Sequence, residues 1–375
     1  MLRALAAEAD VTLASLVHDA AEAAETGRLA QFTTQTIIAA VPSLQNRFRA
    51  LAALTSSRPL TSALLFSPAL QPALTRFVDA TPPDVVLAYC SSMARVAIEP
   101  PLDRFPLVID MVDADSAKWQ MLAAEAKPPM NWIFRREART LADLEARAMR
   151  HAYSTVAVNT REVQHLQRLA PDARIQVLEN GVDVGALAPP DGPASTPRVV
   201  FCGVMNYPPN EAGAIWLARD VWPHVKQAFP TAELRIVGAL PTAKVRALAN
   251  PSQAIVVTGS VADVRPELWN AAVATAPLHL ARGVQTKVLD AVAAGLPCVI
   301  TSQVAGGLPE PIKRACPIAD TSEEFAARIV DCLRRTPDQR RAMAHVDLAE
   351  LAWERRLEPL VALVKEAARS TRPSP

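Results

Sequence analysis

Glycine is scarce in this chain, 12 residues in 375. Each glycine that ends an apolar run therefore reads as a turn the backbone needs. Charge imbalance is missing as well. Lys and Arg number 39 against 38 Asp and Glu, a net charge of +1, so composition gives no electrostatic argument for nucleic acid as a partner. Cysteine is sparse, and the five residues Cys90, Cys202, Cys298, Cys316 and Cys332 are widely spaced and odd in number. That pattern argues against a disulfide framework or a zinc cluster. It fits reduced cytoplasmic thiols used as small hydrophobes. No apolar run is long enough to cross a bilayer.

Proline is abundant instead, at 32 residues, with half of the chain hydrophobic and 21% charged. This is a globular profile with room for two domains. The first half alternates apolar runs with helical material. The runs are Val11–Val17, Asp84–Tyr89, Pro106–Asp110, Thr155–Val158 and Ile175–Leu178. Continuous apolar runs of this kind mark parallel strands covered on both faces. The stretch Ala188-Pro189-Pro190-Asp191-Gly192-Pro193-Ala194-Ser195-Thr196-Pro197 is the clearest linker. A second series follows, with strands expected at Val199–Cys202, Leu234–Val237, Ile255–Val257, Val273–Ala276, Pro297–Thr301 and Cys316–Ala319. The fold class is thus α/β, two doubly wound Rossmann-like domains, over residues 1–188 and 189–350. In such sheets ligands bind beyond the carboxyl ends of the strands, and a cleft between the domains is the expected place. No internal repeat is visible beyond this architectural echo.

The most informative segment runs from Arg282 to Gly295. Gly283 permits a tight loop, and Gln285 to Ala294 is strong helix-forming material. A helix start offers free N–H groups and a positive dipole end. Arg282 and Lys287 beside it make a seat for a phosphate or diphosphate. Asp290 lies about 5 Å along the axis, where a carboxylate meets ribose hydroxyls. The other reading of the same residues is an ordinary surface helix with scattered charges. Glycine-bearing strand ends recur at Gly203, Gly238 and Gly259, and Asn180-Gly181 forms a turn before the linker. Asp110, Asp113 and Asp115 follow the third strand, as a site or as a capping and turn cluster.

Taken together, these residues resemble the retaining glycosyltransferases of the GT-B fold, family-4 type. The resemblance rests on Asn180-Gly181-Val182-Asp183, Phe201-x-Gly203, Ile236-Val237-Gly238 and the run from Lys287 to Pro297. More narrowly, the chain is similar to sugar transferases linked to bacterial exopolysaccharide and exosortase (PEP-CTERM) systems. That likeness rests on Met205-Asn206-Tyr207-Pro208-Pro209-Asn210, on Arg282 to Asp290, and on Val112 to Trp119. The chain departs from the broad family in several places. Its Glu-x7-Glu pattern becomes Arg282 and Asp290, no Lys or Arg follows the Phe-x-Gly strand, and Val112 and Asp113 stand where a histidine is usual.

The resemblance implies transfer of a sugar from a nucleotide-diphosphate sugar to a glycan or lipid-linked acceptor in exopolysaccharide or cell-surface polysaccharide synthesis. It implies retention of configuration, with no metal and no cofactor besides the donor substrate. Asp113 and Arg282 are the expected catalytic residues. Gly203, Asn206, Gly238, Val261, Arg282, Gly283, Lys287, Val288, Leu289 and Asp290 are expected to bind the donor. A non-catalytic nucleotide-sugar-binding protein and a nucleotide-sugar epimerase are the alternatives. Enzymes of this fold end by crossing back, so residues 351–375 are expected to pack on the first domain through a stripe of Trp353, Leu357, Leu360, Val361 and Val364.

Two further expectations concern the first half. Met130-Asn131-Trp132-Ile133-Phe134-Arg135-Arg136 mixes large apolar residues with arginines. It suits either an anionic membrane surface, at the inner face of the plasma membrane, or a helix packed on its own domain with a basic face. The chain also opens with what reads as the tail of a helix, Met1–Glu8, and then the strand Val11–Val17. A doubly wound domain starts with a strand, a glycine-rich turn and then the helix. The expectation is that a first strand and turn, about two to three dozen residues on usual element lengths, are lacking, and that the chain as written is poorly stable and weakly active.

Overall fold

A computed structural model describes residues 1–189, 196–281 and 284–370. The chain forms two units. One is Met1–Glu179 with the C-terminal stretch from Arg356, and the other is Asn180–Arg355.

In the first unit the order is β1 (Thr12–Val17), β2 (Gln35–Ala40), α1 (Ser43–Ala53), α2 (Leu70–Ala80), β3 (Val86–Tyr89), β4 (Leu107–Val112), α3 (Asp115–Glu125), α4 (Met130–His151), β5 (Ser154–Ala157), α5 (Thr160–Leu169) and β6 (Ile175–Val177). Every strand pairing is parallel. The strands form two sheets, β1-β2 and β3-β4-β5-β6. The strands β4 and β5 are almost wholly buried, whereas β1 and β3 are mostly half-exposed. Among the described residues β1 pairs only with β2 and β3 only with β4. The helix α2 ties the two sheets together. Its Leu70, Leu74 and Val78 share one apolar cluster with Ile37 and Ala39 of β2, and Ala14, Leu16 and Val86 pack against that cluster.

The second unit runs β7 (Arg198–Cys202), α6 (Pro208–Trp216), β8 (Glu233–Val237), β9 (Ile255–Gly259), β10 (Val273–Ala276), α7 (Thr286–Ala293) and β11 (Cys298–Ile300). The sheet order is β11-β10-β7-β8-β9. The chain winds outward from β7 in one direction, then returns to the other side of β7 at β10. That reversal is a topological switch point, and it lies between β7 and β10. The last helix, α8 (Trp353–Arg369), buries Leu357, Leu360, Leu363 and Ala367. Within the first unit its Glu366 accepts from Tyr153 at 2.6 Å and from Arg174 at 3.0 and 3.2 Å. Its Arg356 pairs with Glu179 at 2.6 Å.

Three features differ from the sequence reading. The strand β2 was not expected. Its Gln-Thr-Ile-Ile-Ala-Ala sequence is short, polar at its start and exposed at both ends, as an edge strand is. Cys316–Ala319 is not a strand but a single bridge, Ile318 to Ile300, flanked by Pro317, which has no N–H for a ladder. The boundary between units falls before the Asn-Gly turn rather than at the Pro-rich stretch. Val182 N–H donates to the Leu351 carbonyl at 2.8 Å, the Trp353 N–H returns to Val182 at 3.2 Å, and Leu187 is buried in the second core. Those contacts commit Asn180–Leu187 to the second unit.

Buried carboxylates organise the first unit. Glu137 on α4 is fully buried and accepts from the Leu60 N–H at 2.7 Å, the Thr61 N–H at 2.8 Å and the Thr61 hydroxyl at 2.8 Å. Glu137→Ala would leave these donors without their acceptor inside the protein. It is expected to lower the unfolding free energy by roughly 2–5 kcal/mol, read as a fall in the urea midpoint. Glu137→Gln keeps one acceptor oxygen and is expected to lose less.

Candidate nucleotide site

The site is built at the carboxyl end of β7. The strand leaves the sheet through Cys202 and Gly203, and the Gly203 N–H donates to the Val237 carbonyl at 3.0 Å. Beside it, β8 ends at Gly238, whose φ is +151°. A Cβ on Gly238 would lie 1.7 Å from the Gly203 carbonyl oxygen. No side chain fits there, so the two strand ends approach at backbone distance only because residue 238 is glycine. The Met205 N–H reaches the Ala239 carbonyl at 2.9 Å and closes the turn.

The helix α7 follows β10, the strand on the other side of the switch point. It starts at Thr286, one residue later than the sequence implied, and its cap residue Gln285 makes no side-chain capping bond. Lys287 in the first turn folds back over the end of β7. Its Nζ donates to Asn210 Oδ1 at 2.6 Å and lies 5.1 Å from the centre of the Phe201 ring. Asn210 is itself fixed, since its amide nitrogen donates to the Val204 carbonyl at 2.9 Å. Gly203 makes room for the pair. A Cβ there would meet Asn210 Nδ2 at 2.8 Å and Lys287 Nζ at 3.2 Å. Burial pushes the Lys287 ammonium down to about 8. Burial likewise pushes Asp290, one turn further on, up to about 6, and the Cys202 thiol up to about 12.

The structure thus brings Gly203, Gly238, Lys287 and Asp290 to one strand-end region. Val288 and Leu289 follow Lys287 at the start of α7. Their side chains are wholly buried in the apolar core, and the Val288 N–H already donates to the Gln285 carbonyl at 2.9 Å. Asn206 is exposed, and it lines a surface cavity of about 410 Å³ with Pro208, Glu211, Trp216, Asp220 and Lys244. Val261 is half-buried against the core. Arg282 and Gly283 lie outside the described residues. The residue the sequence reading passed over is Asn210. It is uncharged and sits in the first turn of α6, yet it is the buried partner that aims the lysine.

In the first unit the loop from β4 to α3 carries Asp113, which is exposed. Its neighbours have structural work. Asp110 accepts from the Val112 N–H at 3.0 Å, and burial pushes its carboxyl up to about 6. Asp115 accepts from the Ser91 hydroxyl. Behind the loop, Glu162 accepts from the Ala114 N–H at 3.0 Å and Glu145 from the Ser116 N–H at 3.0 Å. Both glutamates are fully buried, and burial pushes Glu145 up to about 7. The ends of β3 and β4 carry two non-glycine residues at positive φ, Cys90 at 66° and Val112 at 60°. For a β-branched residue this is strained, and such strain concentrates at functional positions. Among the described residues no group of three His, Cys, Asp or Glu could hold a metal ion.

The lysine makes a pH test available. Its folded value of about 8 lies below its ordinary 10.5. Between these pH values the unfolded chain binds more protons than the folded one. Stability is therefore expected to rise with pH across that window, and Lys287→Met is expected to flatten the rise. Diphosphate binding favours the charged lysine, so affinity for a nucleoside diphosphate is expected to fall as pH passes 8. Calorimetry across pH 7–9.5 reads both effects.

Residues 196–335 match the family described as glycosyl transferases group 1. No curated protein is significantly similar in sequence. Among solved structures, HepE of Anabaena in complex with UDP and glucose aligns with a TM-score of 0.63 at 17% identity, over 99% of this chain and 95% of that one. WaaG, a glycosyltransferase involved in lipopolysaccharide biosynthesis, aligns at 0.59 and 16% identity, over 96% and 98%. TarM aligns at 0.58 and 10% identity over 81% of this chain, which spans 59% of TarM's length. The chain therefore has the α/β fold of GT-B glycosyltransferases, and its second unit carries the glycosyl transferases group 1 match over the residues that build the Lys287 site.

Proposed function

We propose that this protein transfers a sugar from a nucleotide-diphosphate sugar to a hydroxyl of a glycan or lipid-linked acceptor, in the synthesis of exopolysaccharide or another cell-surface polysaccharide. The observation that carries the reading is Lys287. A largely desolvated ammonium, aimed by Asn210, stands in the first turn of a helix at the switch point of a doubly wound sheet. Such a cation and the N–H groups of a helix start suit a diphosphate, and in a site of low dielectric they act strongly on charge that develops there. The group 1 match over residues 196–335 supports the same chemistry, and HepE was solved with UDP-glucose.

In this reading the bond from the sugar's anomeric carbon to the diphosphate oxygen breaks. A bond from that carbon to the acceptor oxygen forms on the same face, with retention. The acceptor proton passes to the departing phosphate oxygen. Lys287, the start of α7 and, by its place in the sequence, Arg282 meet the charge of the leaving group without a bound metal. Asp290 accepts from the ribose, and Asp113 orients the acceptor or the donor sugar. Gly203 and Gly238 keep the strand ends clear for the donor. The acceptor side would lie at the inner face of the membrane, with Met130–Arg136 at its surface.

The test is incubation with a panel of nucleotide sugars, following nucleoside diphosphate release with and without acceptors. Acceptor-dependent release supports the proposal. Binding without release points to a non-catalytic protein, and an epimerised sugar points to an epimerase; either overturns it. Charge-assisted bonds contribute about 1.5–3 kcal/mol each. Lys287→Ala is thus expected to weaken nucleoside diphosphate binding at least about tenfold, and Asp290→Ala is expected to weaken nucleoside more than inorganic diphosphate binding. Unchanged affinity in both variants, measured by calorimetry, would remove the site assignment.

A further inference from the structure

The helix α1 is amphipathic the wrong way round for a globular protein. At 100° per residue, Leu44, Phe48 and Leu51 fall within roughly 60° of one another on one face. They are 73%, 73% and 63% exposed. The residues that do face the protein are Asn46 and Ala53, on the opposite side. Asn46 is fully buried and donates to the carbonyls of Leu64 at 2.8 Å and Phe66 at 2.7 Å. The helix is thus held to its domain by a polar residue while its large apolar side chains point to solvent. Ordinary surface helices do the reverse.

The charge around this stripe has one sign. From Thr26 to Val78 the sequence contains no Asp or Glu and five arginines, Arg28, Arg47, Arg49, Arg58 and Arg76. In a chain with 38 acidic residues among 375, about five would fall in such a stretch by composition alone, so their absence biases the surface. Arg47 and Arg58 are exposed. Arg49 is exposed too, though its guanidinium donates to Asn46 Oδ1 at 2.8 Å and lies over the Phe66 ring.

A second group of exposed apolar residues belongs to the element joined to the end of α1. The Arg136 guanidinium of α4 donates to the carbonyls of Ala53, Leu54, Ser56 and Arg58, which pins the first turns of α4 to the carboxyl end of α1. Four residues earlier, Trp132 is 64% exposed, and Met130 is exposed as well. Arg135 and Arg139 are exposed beside them. Phe134, by contrast, turns inward onto Trp119.

We infer that the outward face of α1, extended by Met130 and Trp132 of α4, docks on an anionic lipid bilayer. An exposed apolar stripe in a stretch with arginines and no carboxylate, with an exposed tryptophan on the element joined to its end, has the chemistry of an interfacial helix. Its apolar side chains enter the boundary between headgroups and acyl chains, and its arginines meet the lipid phosphates. Carboxylates would oppose that docking, and the stretch has none. This deepens the membrane part of the proposed function by naming the docking residues, and it does not depend on the Lys287 site.

The experiment is co-sedimentation of the full chain with vesicles of phosphatidylcholine alone and of phosphatidylcholine with 40 mol% phosphatidylglycerol, at low and high salt. Binding to the anionic vesicles, at least tenfold tighter than to the neutral ones and weakened by salt, is expected. Leu44→Ser/Phe48→Ser/Leu51→Ser is expected to reduce it tenfold or more. Arg47→Gln/Arg58→Gln is expected to reduce anionic binding several-fold and leave neutral binding unchanged. These side chains are exposed, so an unchanged circular dichroism melt and unchanged nucleoside diphosphate affinity are expected in both variants. No vesicle binding, or equal binding by the triple-serine variant, would overturn the inference. So would concentration-dependent dimerisation that the triple-serine variant abolishes without a change in vesicle binding, because the face would then belong to a second copy.

Discussion

An ammonium group stripped of most of its water, with one amide oxygen as an aimed partner, is the interaction around which the second unit's site is arranged. A lysine in that position is unstable unless something compensates its lost hydration. Asn210 compensates in part, at 2.6 Å, and the Phe201 ring face adds to it. Neither carries charge, so Lys287 remains a cation without a formal counter-ion in these two contacts. An anion arriving there would complete the arrangement. The geometry upstream follows from this need. Gly203 must be glycine for Asn210 and Lys287 to meet, and Gly238 must be glycine for the strand carrying Gly203 to lie where it does.

The first unit uses a different device. Its loops are held by buried carboxylates that accept main-chain N–H groups: Glu137 for Leu60 and Thr61, Glu145 for Ser116, and Glu162 for Ala114. An N–H held by a buried carboxylate is fixed more firmly than one facing water, because water is no longer there to replace the bond. The chain just after Asp113 is gripped in this way at Ala114 and Ser116, while Asp113 itself is exposed. Fixed main chain beneath an exposed carboxylate is what a positioning residue requires.

Much of this was legible in the sequence, for identifiable reasons. Continuous apolar runs gave β4, β5, β7, β8 and β10, because buried parallel strands have no polar face to interrupt the pattern. The run from Gln285 to Ala294 gave α7 within a residue at each end. What escaped had weak local signals. The edge strand β2 begins with Gln35-Thr36, and four of its six residues stay in contact with solvent. Cys316–Ala319 has strand composition, but Pro317 breaks the ladder. Asn210 carries no charge to draw attention, and its role exists only once Lys287, 77 residues later, folds onto it. The buried glutamates of α4 and α5 were invisible for a related reason, since in sequence they look like solvent-facing residues of charged helices.

The costs of the fold are not spread evenly. Helices elsewhere are capped by side chains that satisfy their first N–H groups, as Asn159, Thr242, Thr301, Thr321 and Thr336 do, and each such cap is stabilising. Some unfavourable features lie away from the carboxyl ends of strands, as do Ala254 at a φ of 52° before β9 and Glu145 on α4, pushed up to about 7, but several stand at those ends. There stand Cys90 and Val112 at positive φ, Asp110 with its carboxyl driven upward, and Gly238 at a φ open to glycine alone. Lys287 leans over such an end with its ammonium pushed down to about 8 by burial, and Asp290 stands one turn further along α7. In each unit taken by itself, the features at these ends stand where doubly wound sheets meet ligands, and strained backbone persists only where the surrounding structure holds it in place.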